Sequence, residues 1–266
     1  MSVNPEKQRK VVVVHGVQLG DDGDQNQHKA IQTLIDSRLG GVPLDFATEM
    51  FVYENINDEA QGLFSRITSA IANTPLEGVV TKAVIDLLGD VVISLRDKST
   101  AQKIRAALKA QILAHYENGH PCYLVAHSLG SIYAFDVINE LFKDEAYFER
   151  NARETWPVQG IMTLGSPIGL GLFNKNRKQV EKLGVGEEWF RWLNVWDRSD
   201  PVVSGKLFGT PKRGYDIAEL YETSDEQQGW IIRDVIVDTQ QAWILAHLGY
   251  WNNATVGDSL LNMIRN

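Results

Sequence analysis

The chain has 266 residues, 44% of them hydrophobic, and a formal net charge of −8. That length and apolar content suffice for one large core, so a single domain over residues 1–266 is expected. The acidic balance argues against a nucleic-acid footprint and points to small-molecule partners, while Cys122, the single cysteine, excludes an internal disulfide and a cysteine-based metal cluster.

Residues 1–10 are polar, with no secretory apolar segment, which predicts a cytoplasmic protein. The valine run at 11–14 reads as a buried strand over 11–15, ending in His15-Gly16-Val17, where a glycine lets the chain turn back. In that turn the backbone matters more than the His15 ring. Gly16, Gly20 and Gly23 loosely resemble a dinucleotide loop, but Asp21, Asp22 and Asp24 would repel phosphate. The same aspartates lack the spacing of a twelve-residue calcium loop, so neither cofactor nor metal is expected there. A helix at 24–38 and a strand at 47–53 follow, then helical patterns at 59–72 and 77–95. The excess at 58–97 is a candidate cap or lid over an active site, or an extra helical layer on the sheet. Its longest apolar stretch is interrupted by Lys82, Asp86 and Asp90, which rules out a transmembrane helix.

A helix at 99–117 leads into a strand at 121–126, and Tyr123-Leu124-Val125-Ala126 then breaks into His127-Ser128-Leu129-Gly130 before a helix at 129–142. Ala126 and Gly130, two positions either side of Ser128, let strand and helix approach closely enough to lift the hydroxyl above the sheet edge. There a histidine can deprotonate it for attack on a carbonyl. The amide of Leu129 is one expected donor to the developing oxyanion, and the amide of Val17 the other. A strand at 158–164 ends in Gly165-Ser166-Pro167, and the glycine-hinged segment 168–173 either lines an acyl pocket or covers the core.

After a helix at 175–183, the strand at 190–196 runs into Asp197-Arg198-Ser199-Asp200-Pro201. Both aspartates stand where an acid that orients a histidine must emerge. Pro201 biases Asp200 toward an extended, rigid mount and favours it, whereas Asp197 suits a turn cap. Of six histidines only His247 follows Ser128, in a loop beyond the strand at 231–237 and before a helix at 254–265. It is the candidate base.

Strands alternate with helices, which predicts an α/β fold with a mostly parallel sheet. The His15-Gly16 turn, the Ala126-His127-Ser128-Leu129-Gly130 elbow, the Thr163-Leu164-Gly165-Ser166-Pro167 strand end, the Asp200-Pro201-Val202 turn and His247 together resemble the α/β-hydrolase superfamily, more narrowly its lipase- and esterase-like serine hydrolases. The resemblance spans nearly the whole chain, with Ala126 where many members have glycine. It implies the α/β-hydrolase fold, a Ser128/Asp200/His247 triad, an acyl-enzyme intermediate and no cofactor. The expected activity is hydrolysis of carboxylic esters with an apolar acyl group. A thioesterase or amidase with the same triad is the alternative, as is a non-catalytic binding module on the same fold.

Overall fold

The computed structural model describes residues 1–15, 26–52, 98–149, 152–174, 177, 184–185, 188–205, 214–215, 217–221, 231–242 and 244–265. In chain order its elements are β1 (Arg9–Val14), α1 (Gln27–Asp36), β2 (Phe46–Phe51), α2 (Lys98–Glu117), β3 (Cys122–His127), α3 (Gly130–Phe142), β4 (Gly160–Leu164), α4 (Gly171–Asn174), β5 (Gly184–Val185), β6 (Glu188–Trp189), β7 (Arg191–Asp197), α5 (Ile217–Tyr221), β8 (Ile231–Val237), α6 (Ile244–Leu248) and α7 (Ala254–Arg265). Six strands form one sheet in the order β2-β1-β3-β4-β7-β8, every pairing parallel, while β5 and β6 make a separate antiparallel pair.

Parallel strands need helices on both faces, and β1 shows why it ends in four consecutive valines. Val12 and Val14 point into one core with Leu124, Ala126, Ile132, Phe135 and Trp192, beneath α2 and α3. Val11 and Val13 point the other way, against Ile31 and Ile35 of α1 and Val256, Leu260 and Ile264 of α7. The four-residue spacing of those α7 side chains gives the helix a single apolar stripe. One set of polar side chains inside the sheet is paired within itself, as burial favours. The Trp192 indole donates to Thr163 Oγ1 (2.9 Å), Thr163 donates to Asn194 Oδ1 (3.0 Å), and Asn194 Nδ2 donates to Asp234 Oδ1 (2.6 Å). This ladder crosslinks β4, β7 and β8 at mid-strand.

Ile168, Leu170 and Phe173 are buried in the core beneath α2 and α3, so the 168–173 segment covers the core. The candidate cap at 58–97, the Val17 amide and nearly all of the helix expected at 175–183 lie outside the described residues. Among the described residues no helix is long and apolar enough to cross a membrane.

From β1 the chain moves outward to β2 and later returns to place β3 on the other side of β1. The carboxyl ends of β1 and β3 therefore flank the point where strand order reverses, the usual position of a ligand crevice in such sheets.

Candidate active site

At that edge β3 passes into α3 through Ser128, whose φ of 52° is left-handed. Its amide still donates to the Leu164 carbonyl (2.9 Å), so the β3–β4 ladder holds the serine to the last residue before the turn. Gly130 is fixed by crowding. A Cβ there would stand 2.3 Å from the His15 carbonyl oxygen and 2.5 Å from that of Val14, which ties the elbow to the end of β1. His15 is itself fully buried, and its backbone forms this contact. Behind the elbow, Ser131 Oγ donates to the Ser128 carbonyl; Ser166 Oγ, 2.6 Å from Ser131 Oγ, donates to it in turn and accepts the Ile168 amide. Leu129 immediately precedes α3, where helix amides favour negative charge.

The turn after β7 carries both candidate acids, and both are buried. Asp197 Oδ1 accepts the Ser199 amide (2.7 Å), and Oδ2 accepts the amide and hydroxyl of Thr239 (2.7 Å each). It is a turn and loop clamp. Asp200 Oδ1 accepts the Val202 and Val203 amides (2.8 and 3.4 Å), while Oδ2 lies 2.8 Å from His247 Nδ1. Of the two aspartates, Asp200 is the one brought to the histidine.

His247 sits near the end of α6 with 6% of its surface exposed, so its bond to Asp200 is shielded from water. With Nδ1 directed to the carboxylate, Nε2 is the outward nitrogen. Among the described residues no hydrogen bond joins Nε2 to the Ser128 hydroxyl. Such bonds commonly form only once substrate is bound.

Three further residues shape the site without having been singled out for that role in the sequence. His127 Nε2 lies 2.7 Å from the His247 carbonyl oxygen, which can only accept, so Nε2 carries the proton. Burial above all, and the neighbouring His247, push the His127 pKa well below the usual imidazole value and keep it a neutral donor. Its ring packs 4.6 Å from that of His247 and 5.1 Å from that of Trp251, centre to centre. Tyr250, fully buried, donates its hydroxyl proton to Asp200 Oδ2 (2.7 Å) and accepts the Asp197 amide (3.0 Å). Gly165, at the end of β4, has φ 56°; a Cβ there would stand 2.8 Å from Asp200 Oδ2 and 2.9 Å from His247 Nδ1. An i+2 small residue marks Gly130 in the sequence, but the need for glycine at 165 appears only when the acid and base are in place.

A parallel sheet with a left-handed serine between β3 and α3, beside the strand-order reversal, and an Asp–His pair after β7 and β8 has the architecture of an α/β-hydrolase fold. Neither a family model nor a curated protein matches the sequence. Similar solved structures include a dienelactone hydrolase from Anabaena variabilis, at 13% identity over 98% of this chain and 85% of that one, with a TM-score of 0.45. A putative hydrolase from Agrobacterium vitis has 12% identity over 99% and 89%, with a TM-score of 0.44. The metagenome-derived lipolytic enzymes LipS and LipT are represented at 12% identity over 99% and 95%, with a TM-score of 0.44.

Proposed function

We propose that this chain is a serine hydrolase that cleaves carboxylic esters through an acyl-enzyme, with Ser128 as nucleophile, His247 as base and Asp200 as the orienting acid. The observation that carries this reading is the 2.8 Å bond between Asp200 and His247, buried at the same sheet edge as the left-handed elbow at Ser128. A buried carboxylate that holds an imidazole by Nδ1 stabilises the imidazolium formed when Nε2 takes a proton.

In the proposed reaction Ser128 Oγ attacks the ester carbonyl while its proton passes to His247 Nε2. Negative charge develops on the carbonyl oxygen, for which the Leu129 amide and the Val17 amide are the proposed donors. Collapse expels the alcohol, protonated by His247, and leaves Ser128 acylated. Water, deprotonated by the same imidazole, attacks the acyl group and restores the serine. The triad does not specify the leaving group, so the proposed preference for esters with an apolar acyl group over thioesters or amides is a separate question.

Fluorophosphonate labelling with mass-spectrometric location of the adduct tests the nucleophile. Labelling at Ser128 is expected. An adduct at another serine, or none on folded, ester-cleaving protein, removes the assignment. Rates on a graded series of esters beside matched thioesters and amides then fix the bond cleaved, and folded protein inert toward all three indicates a non-catalytic module.

A further inference from the structure

Asp200 Oδ2 is shared. It receives the Nδ1–H of His247 at 2.8 Å and the hydroxyl proton of Tyr250 at 2.7 Å, while Oδ1 is occupied by two backbone amides. The Tyr250 hydroxyl has little freedom to turn away. Its oxygen accepts the Asp197 amide at 3.0 Å, its ring is fully buried, and Asp197 is itself clamped by Ser199 and Thr239. Burial, then the adjacent Asp200 carboxylate, push the phenol pKa well above its usual value, so the hydroxyl remains a proton donor.

We infer that Tyr250 is a positioning residue that sets the basicity of His247 by competing with it for one carboxylate oxygen. The O–H dipole aims its positive end at the atom where the positive charge of a protonated His247 is balanced. It therefore opposes that charge and draws carboxylate electron density away from it. The effect is to lower the pH at which His247 takes a proton and so to keep the ring available as a base in more acidic solution. Among the described residues, the titratable groups around His247 are Asp200 from the β7 turn, His127 from β3 and Tyr250 from its own segment, with Asp197 behind Tyr250 and His15 beyond His127. Of these, His127 is held neutral by burial, Asp197 is turned onto Thr239 and His15 lies beyond His127, whereas Tyr250 donates directly to the Asp200 oxygen that faces His247.

The kinetic consequence rests on the reading of His247 and Asp200 as base and acid; the titration itself does not. The test is the midpoint of His247 followed by NMR of ring-labelled histidine, in parent protein, in Tyr250→Phe and in protein carrying 3-fluorotyrosine at 250. Loss of the hydroxyl should raise the midpoint by about half to one pH unit. The fluorinated ring, a stronger donor that keeps both hydrogen bonds, should lower it. In active protein the acid limb of kcat/KM should move with the midpoint in both variants. A purely structural role would lower the melting temperature in Tyr250→Phe and leave both midpoints within about 0.2 of the parent, since no competing donor would have been changed; that result overturns the inference. Midpoints that move in opposite directions in protein inert toward esters support the inference and refute the proposed function, so the two fail separately.

Discussion

The elbow after β3 and the turn after β7 deliver side chains to the same edge of the sheet, but they are made rigid by different means. The elbow is held by crowding: Gly130 lies against the carbonyls of Val14 and His15 with no room for a methyl group. The β7 turn is held by hydrogen bonds, which run from Thr239 through Asp197 and Tyr250 to Asp200. A steric lock fails abruptly when one atom is added. A hydrogen-bonded one loses members singly, and its chemistry can be tuned without disrupting the fold.

The substitutions that break or sharpen this contrast differ in size. Asp200→Asn should have the largest effect, a loss of about 10⁴ in kcat, because an amide no longer stabilises the imidazolium or fixes its tautomer. Steady-state kinetics on an ester, with circular dichroism to confirm the fold, measures it; a loss under tenfold would place the acid elsewhere. Gly130→Ala comes next. Its methyl group meets backbone on two sides, and a destabilisation of about 3 kcal/mol or more is expected in chemical denaturation. Tolerance of alanine would mean that β1 and the elbow can separate.

Asp197→Asn should cost about 1–3 kcal/mol of stability through the weakened Thr239 and Ser199 bonds, with turnover held within about tenfold. A kinetic loss equal to that of Asp200→Asn would erase the distinction between clamp and acid. The smallest effect concerns His127, which burial holds neutral by depressing its folded pKa well below the usual imidazole value. The unfolded chain binds a proton there before the folded one does. Stability linked to His127 is thus complete above about pH 6.5 and declines as pH falls toward the folded value, by at most about 1.4 kcal/mol per pH unit. His127→Gln, which keeps a donor for the His247 carbonyl, should flatten that acid-side slope by one proton in denaturation measured at several pH values.

The elbow was legible in the sequence because Ala126, Ser128 and Gly130, the small residues and the serine that mark it, lie within five residues, although the β1 carbonyls that require Gly130 lie far away in the chain. Strands β1, β3 and β8 were legible as buried or alternating apolar runs, with β8 matching its expected span of 231–237. Pro201 favoured Asp200 over Asp197 in the sequence, and Asp200 is the one of the two that lies within hydrogen-bond distance of His247. Tyr250 was not legible. Its partners lie 50 and 53 residues away, and nothing local distinguishes its hydroxyl from that of any tyrosine in an apolar stretch. The five-residue helices α5 and α6 are too short to display a helical period. Segment 168–173 has the same composition whether it lines a pocket or seals a core, and only its burial beside Ile132 and Phe135 decides.

The backbone of Ser128 has a thermodynamic consequence. A left-handed conformation in a residue with a Cβ costs about 1 kcal/mol or more, whereas glycine adopts it freely. Ser128→Gly should therefore leave the protein slightly more stable than its parent while removing the hydroxyl. Folding alone prefers glycine at this position, so the serine works against stability, a cost that the proposed role of its oxygen as nucleophile would explain.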